Sequence, residues 1–211
     1  VTGSLTMDGG TLVFAGSATP GVHQSETAPV DPSKAEAHLT VNNMNLTDGT
    51  VKVDLSANVN PDYSVVNDSL TMQDVLVSDQ GDVTTMLVKA NDTVTGSAGN
   101  LTLVDQHGNT VGSSKTLKIQ DEGGNAVADG EYGLGLAVKN NNLGLAYQLN
   151  KVRVHDGKNL TLKGTAPAPD DNNTLVAVLT GQGGLKVSEG AITLANNRND
   201  YTGMTEVLSG A

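Results

Sequence analysis

Apolar and polar residues alternate with a period of two along most of the chain, the signature of half-buried β-strands. Val51, Val53 and Leu55 fall on one strand face, as do Leu134, Leu136 and Val138, the series Leu143, Leu145, Tyr147 and Leu149, and Val152 with Val154. Turn-forming pairs interrupt these runs at Asp48-Gly49, Asp129-Gly130 and Asp156-Gly157, and again at Gly181-Gln182-Gly183-Gly184. No window longer than about ten residues carries an apolar stripe at helical spacing. The pattern predicts an all-β chain with almost no helix. One phrase recurs within it: Leu5-Thr6, Leu39-Thr40, Leu46-Thr47, Leu70-Thr71, Leu101-Thr102-Leu103, Leu160-Thr161-Leu162 and Ile192-Thr193-Leu194. Such repetition points to stacked, similar units, each too short to bury a core alone.

Many short strands are compatible with a sandwich, a barrel or a β-solenoid. The solenoid is favoured by strands of only three to five residues and by Asn and Thr near strand ends, where stacked side chains form hydrogen-bonded ladders. The aromatic content, one Phe and four Tyr without Trp, suits a thin aliphatic core better than a broad globular one. With coils about 4.8 Å apart and roughly 20 to 25 residues each, the chain makes about nine coils. The solenoid reading takes residues 1–211 as a single body. Residues 17–37, holding three of the six prolines, read as a projecting loop, and Ala166 to Asn173 as a shorter excursion. Residues 118–154 read as a hairpin-like section with turns at Asp129-Gly130 and Asn140-Asn141-Asn142.

Charge narrows the function classes. A net charge of −11 with only 12 Lys and Arg, scattered along the chain, excludes a nucleic-acid footprint. No apolar run reaches the length of a membrane-spanning helix. Val1-Thr2-Gly3-Ser4 has neither the basic start nor the apolar stretch of a signal peptide. The chain also starts in mid-pattern, so it reads as a piece of a longer protein. The absence of Cys is compatible with export but does not require it.

Candidate chemistry is sparse. His23, His38, His107 and His155 lack the locally paired spacing of zinc ligands, and His107 sits in a turn-like Asp105-Gln106-His107-Gly108-Asn109. No G-x-S-x-G nucleophile elbow occurs. Gly181 to Gly184 precedes no helix that would hold a phosphate. Paired carboxylates on a β-helix face would act on polysaccharide, with Asp54, Asp62, Asp74 and Asp79 as candidates; the favoured reading of all four is as solvated turn and edge residues that discourage edge pairing. The expectation is therefore no enzyme, no cofactor and no metal.

Residues 190–210 carry the most specific signal. Asn199, Tyr201, Gly203, Thr205, Val207 and Gly210 match N-x-Y-x-G-x-T-x-V-x-x-G, with Leu194 five residues before the Asn and Met204 at a position usually held by Gly. This resembles the autotransporter-associated β-strand repeat. Val127-Ala128-Asp129-Gly130-Glu131-Tyr132 and Leu143-Gly144-Leu145-Ala146-Tyr147-Gln148-Leu149 are similar to a segment of AIDA-like autotransporter passengers. The resemblance implies a right-handed parallel β-helix of pertactin-like type, tethered outside a Gram-negative cell by a C-terminal β-barrel that this sequence does not contain. It further implies adhesion, self-aggregation or biofilm formation, with partners among other copies of itself and host or matrix glycans and proteins. A β-helical polysaccharide-active enzyme and a purely structural stalk are the alternative readings.

Overall fold

The computed structural model describes residues 3–17, 39–56, 63–111, 115–164, 173–208 and 210. The expected projecting loop therefore lies outside the described residues except for Ser17, and the Ala166 to Asn173 excursion except for Asn173. In chain order the strands are β1 (Ser4–Ser17), β2 (Leu39–Asp54) and β3 (Ser69–Thr71), then a one-turn helix α1 (Val75–Ser78). There follow β4 (Val83–Gly96), β5 (Leu101–Val104), β6 (Lys115–Gln120), β7 (Ala126–Lys139), β8 (Asn142–Val154) and β9 (Asn159–Lys163). The last are β10 (Thr174–Leu175), β11 (Val178–Gly181), β12 (Gly184–Glu189), β13 (Thr193–Leu194) and β14 (Thr205–Val207). The protein is all-β, and none of its helices is long and apolar enough to cross a membrane among the described residues.

The chain forms two compact units, where the sequence reading has a single one. Unit 1 comprises Val1–Val65, Asp82–Gly112 and Leu134–Tyr147. In it β2 pairs in parallel with β1, β4 and β5, and β4 pairs antiparallel with the first part of β8. Met44, Leu46, Val51 and Val53 of β2 point inward and are fully buried, following the period-two pattern. Gly49 lies within the strand at φ +147, so Asp48-Gly49 bends β2 without ending it.

Unit 2 comprises Val66–Gly81, Ser113–Gly133 and Gln148–Ala211. Here β3 pairs in parallel with β6, β6 antiparallel with β7, and the last part of β8 in parallel with β11. Toward the C-terminus every pairing among the described residues is parallel: β9 with β12, β12 with β14, and β10 with β13. Leu160, Leu162, Leu175, Leu179 and Leu185 from these strands close one aliphatic core with Val75, Leu117, Ile119, Leu149, Val152 and Val154. Burying such side chains is worth about 1.5–3 kcal/mol each, which is how strands of two to six residues hold together without aromatic bulk.

β7 and β8 are joined by Asn140-Asn141, both at positive φ (50° and 62°). That is the backbone of a type I′ hairpin turn, which Asn tolerates better than most residues. Asp129-Gly130, expected as a turn, instead lies inside β7. A Cβ on Gly130 would stand 2.6 Å from Leu149 Cδ1 and 3.4 Å from Ile119 Cδ1, so the glycine serves close packing. The turn before β7 is Asp121-Glu122-Gly123-Gly124-Asn125, the same D-x-x-G-N phrase as Asp105 to Asn109. In both, the Asp N–H donates to the Asn carbonyl at 2.9 Å, the Asp Oδ1 accepts from the Asn N–H (3.0 Å at Asp105, 2.9 Å at Asp121), and the Gly sits at φ +79. His107 belongs to the first of these loops, and its backbone N–H donates to Asp105 Oδ1.

Candidate recognition surface

On unit 1 the parallel register aligns Ser4, Asn43 and Thr93, and two residues on Thr6, Asn45 and Thr95. Alternation turns these side chains away from Met44 and Leu46, so the six make an exposed or half-buried polar strip. The hydroxyls of Thr93 and Thr95 donate to the amide oxygens of Asn43 and Asn45 at 2.7 and 2.6 Å. Asn45 Nδ2 reaches Thr6 Oγ1 at 3.4 Å. The result is a ladder of amides and hydroxyls, pre-ordered by its own bonds and carrying no formal charge.

On unit 2 the residues of the repeat phrase run from β13 through β14 to Gly210, most of them against strands about twenty positions earlier. Leu194 is in register with Leu175. Asn199 Oδ1 accepts from the Leu179 N–H at 2.7 Å, replacing a strand-to-strand bond where the backbone turns. Asn196, outside the matched positions, does the converse, donating from Nδ2 to the Val176 carbonyl at 3.0 Å. The Asn-Asn pair at 196–197 was the signal available for it. The ring of Tyr201 packs on the core, and its hydroxyl lies 2.5 Å from Thr205 Oγ1. The Gly203 N–H donates to the Gly183 carbonyl. Thr205 and Val207 are in register with Leu185 and Val187, and the Gly210 carbonyl accepts from the Gly190 N–H at 3.3 Å. Met204, the departure from the phrase, is 78% exposed, so its side chain meets no neighbour that Gly would be needed to clear.

Asn199→Ala leaves the Leu179 N–H without its acceptor. The expected loss is about 1–3 kcal/mol, read as a lower denaturation midpoint and as faster exchange of the Leu179 amide.

The described carboxylate candidates each have their own surroundings. Asp54 belongs to unit 1, where hydrogen bonds from the Ser56 side chain and backbone hold its carboxyl below the usual range. Asp62 lies outside the described residues. Asp74 is exposed and exchanges hydrogen bonds with Thr71. Asp79, expected as a solvated edge residue, is 1% exposed. Its Oδ2 accepts from the Val176 N–H at 2.5 Å and the Ala177 N–H at 3.0 Å, and burial pushes its carboxyl up to about 7. His23 and His38 lie outside the described residues, and His155 Nε2 meets Asp129 Oδ2 at 2.9 Å. No group of three or more His, Asp or Glu able to hold a metal ion occurs among the described residues.

Two proteins of Escherichia coli (strain K12) are similar to this chain over essentially its whole length. The one named "Uncharacterized lipoprotein YdeK" is 34% identical over 99% of the chain, and the one named "Uncharacterized protein YuaQ" is 30% identical over all of it. The chain spans only 16% and 15% of their respective lengths. No family model and no solved structure matches it.

Proposed function

We propose that the chain is a stretch of an AIDA-like autotransporter passenger, wound as a right-handed parallel β-helix and acting at the surface of a Gram-negative cell in adhesion, self-aggregation or biofilm formation. The observation that carries this reading is the last coil. The repeat-phrase residues meet the preceding coil or pack within their own, in parallel register with β10 and β12, as a repeat selected for stacking requires. The name of the lipoprotein relative supports membrane or surface association alone, and a lipid anchor is a different tether from a C-terminal barrel.

The Asn-Thr ladder of unit 1 is the binding face in this reading. Amides and hydroxyls at strand spacing match the hydroxyls of an extended glycan or the same ladder on another copy. Individually weak contacts of this kind gain strength by repetition on a clustered surface. The test uses the full-length protein on its own cells. Protease added to intact cells should cleave within this segment, and cleavage only after the outer membrane is permeabilised would overturn surface display. Replacing both Asn43 and Asn45 by Ala should reduce clumping or glycan-array binding severalfold at near-wild-type surface level. Unchanged clumping and binding would reduce this segment to a stalk.

A further inference from the structure

Residues 72–80 reach across to strands some ninety positions later in the chain, almost entirely through side chains. Gln73 pairs with the backbone of Lys163 on β9 as a neighbouring strand would: its Nε2 donates to the Lys163 carbonyl at 2.8 Å and its Oε1 accepts from the Lys163 N–H at 3.0 Å. The Thr161 N–H points at Met72 Sδ, 3.3 Å away. Gln80 Nε2 donates to the Thr174 carbonyl at 3.1 Å, and Asp79 takes the N–H groups of Val176 and Ala177. Backbone groups along β9 and around β10 that would otherwise stand open as a sheet edge are thereby closed.

Asp79 is the unusual member of this set. Its Oδ2 is satisfied twice, while Oδ1 is buried without a hydrogen-bond partner. Burial outweighs the backbone N–H groups and the Gln80 side chain that would favour the ionised form, and a charge shared with the unpartnered Oδ1 is costly where a neutral carboxylic acid is not. Residues 173–181 hold no titratable side chain. β8 contributes the neutral Gln148, whose Oε1 accepts from the Gly81 N–H. The charged side chains of its own segment and of β9, Asp74 and Lys163, are exposed, and no charged neighbour is among the influences on Asp79. We propose that residues 72–80 are a pH-gated clasp over strands β9 and β10, closed when Asp79 is protonated and loosened when it ionises.

The sign follows from proton linkage. A clasp that closes on the protonated acid takes up a proton wherever the closed form titrates above the open one. Between an ordinary value of 3.8 when open and about 7 when closed, rising pH favours opening; above that range the equilibrium is flat. Strand edges are thus more shielded in acidic surroundings and more available for pairing near neutrality.

The test is amide hydrogen exchange on the intact chain from pH 5 to 7. After correction for intrinsic rates, the opening constant at Val176 and Ala177 should rise by up to about tenfold per pH unit, and Asp79→Asn should abolish that slope. A flat wild-type profile, or an equal slope in Asp79→Asn, overturns the proposal. Should the variant not fold, carboxyl-carbon NMR of the wild-type chain decides: an Asp79 midpoint in the ordinary carboxylate range overturns it, and one near neutrality supports it.

Discussion

Gly203→Ala is expected to destabilise unit 2 by about 3 kcal/mol, in the upper part of the range for overpacking a close-packed site. A Cβ at position 203 would stand 2.3 Å from both the carbonyl carbon and oxygen of Gly183, and 2.5 Å from the Gly184 nitrogen. All three are backbone atoms, so no side-chain rotation relieves the clash. Gly183 is hemmed in on its other side too, where a Cβ would lie 2.4 Å from the His155 carbonyl oxygen and 2.7 Å from that of Lys158. Backbone therefore rests on backbone from Gly203 to Gly183 and from Gly183 to His155 and Lys158. An added methyl has to force the segment around Gly203 away, breaking the bonds from Thr202 to Gly181, from Gly203 to Gly183 and from Leu185 to Met204. Denaturation should show the loss, and hydrogen exchange should place it at the Thr202, Gly203 and Leu185 amides. Gly10→Ala is the control: nothing lies within 4 Å of the added atom, and a change within about 0.5 kcal/mol is expected. Equal stability of Gly203→Ala and wild type would remove the physical reason for glycine at this position of the repeat.

What the sequence disclosed followed from how local each cause is. The inward faces of Val51 with Val53 and of Val152 with Val154, all essentially buried, need only period-two alternation to be read. The loop around His107 was legible because Asp, Gly and Asn are spaced for a tight turn. Asn199, Tyr201 and Gly203 stood out in the sequence because each is a residue type suited to one local task, and in the structure each makes a contact of its own. Other features depended on partners remote in sequence. Asp79 looks like any edge acid until Val176, 97 residues away, supplies a backbone donor and the core removes water. In β8, Leu143 to Leu149 are buried on both faces, but Gly144, Ala146 and Gln148 at the alternate positions imitate an exposed side. Gly144 is small because a Cβ there would come within 2.2 Å of the Thr85 carbonyl oxygen, across an antiparallel pairing that alternation alone does not specify.

The Asp129-Gly130 pair was opaque for the same reason, and it leads to a sharper expectation. Leu149→Ala should cost about 2–5 kcal/mol, since it removes a fully buried side chain from a core that relaxes only partly around the vacancy. Gly130→Ala alone should also destabilise, by a smaller amount: its Cβ would press on Leu149 Cδ1 at 2.6 Å, and a leucine tip yields more readily than backbone. Gly130 is not among the positive-φ residues, so no backbone strain opposes the alanine once space exists. In the double variant the new methyl enters the volume that Leu149 has left. The double variant should therefore be less destabilised than the sum of the two single changes, by about 1 kcal/mol or more, a coupling of the size found for residues in direct contact. Strict additivity in urea denaturation would show that Gly130 is held for another reason. A positive coupling would establish that this glycine, written in the sequence like a turn, is there to let the β8 leucine reach the core.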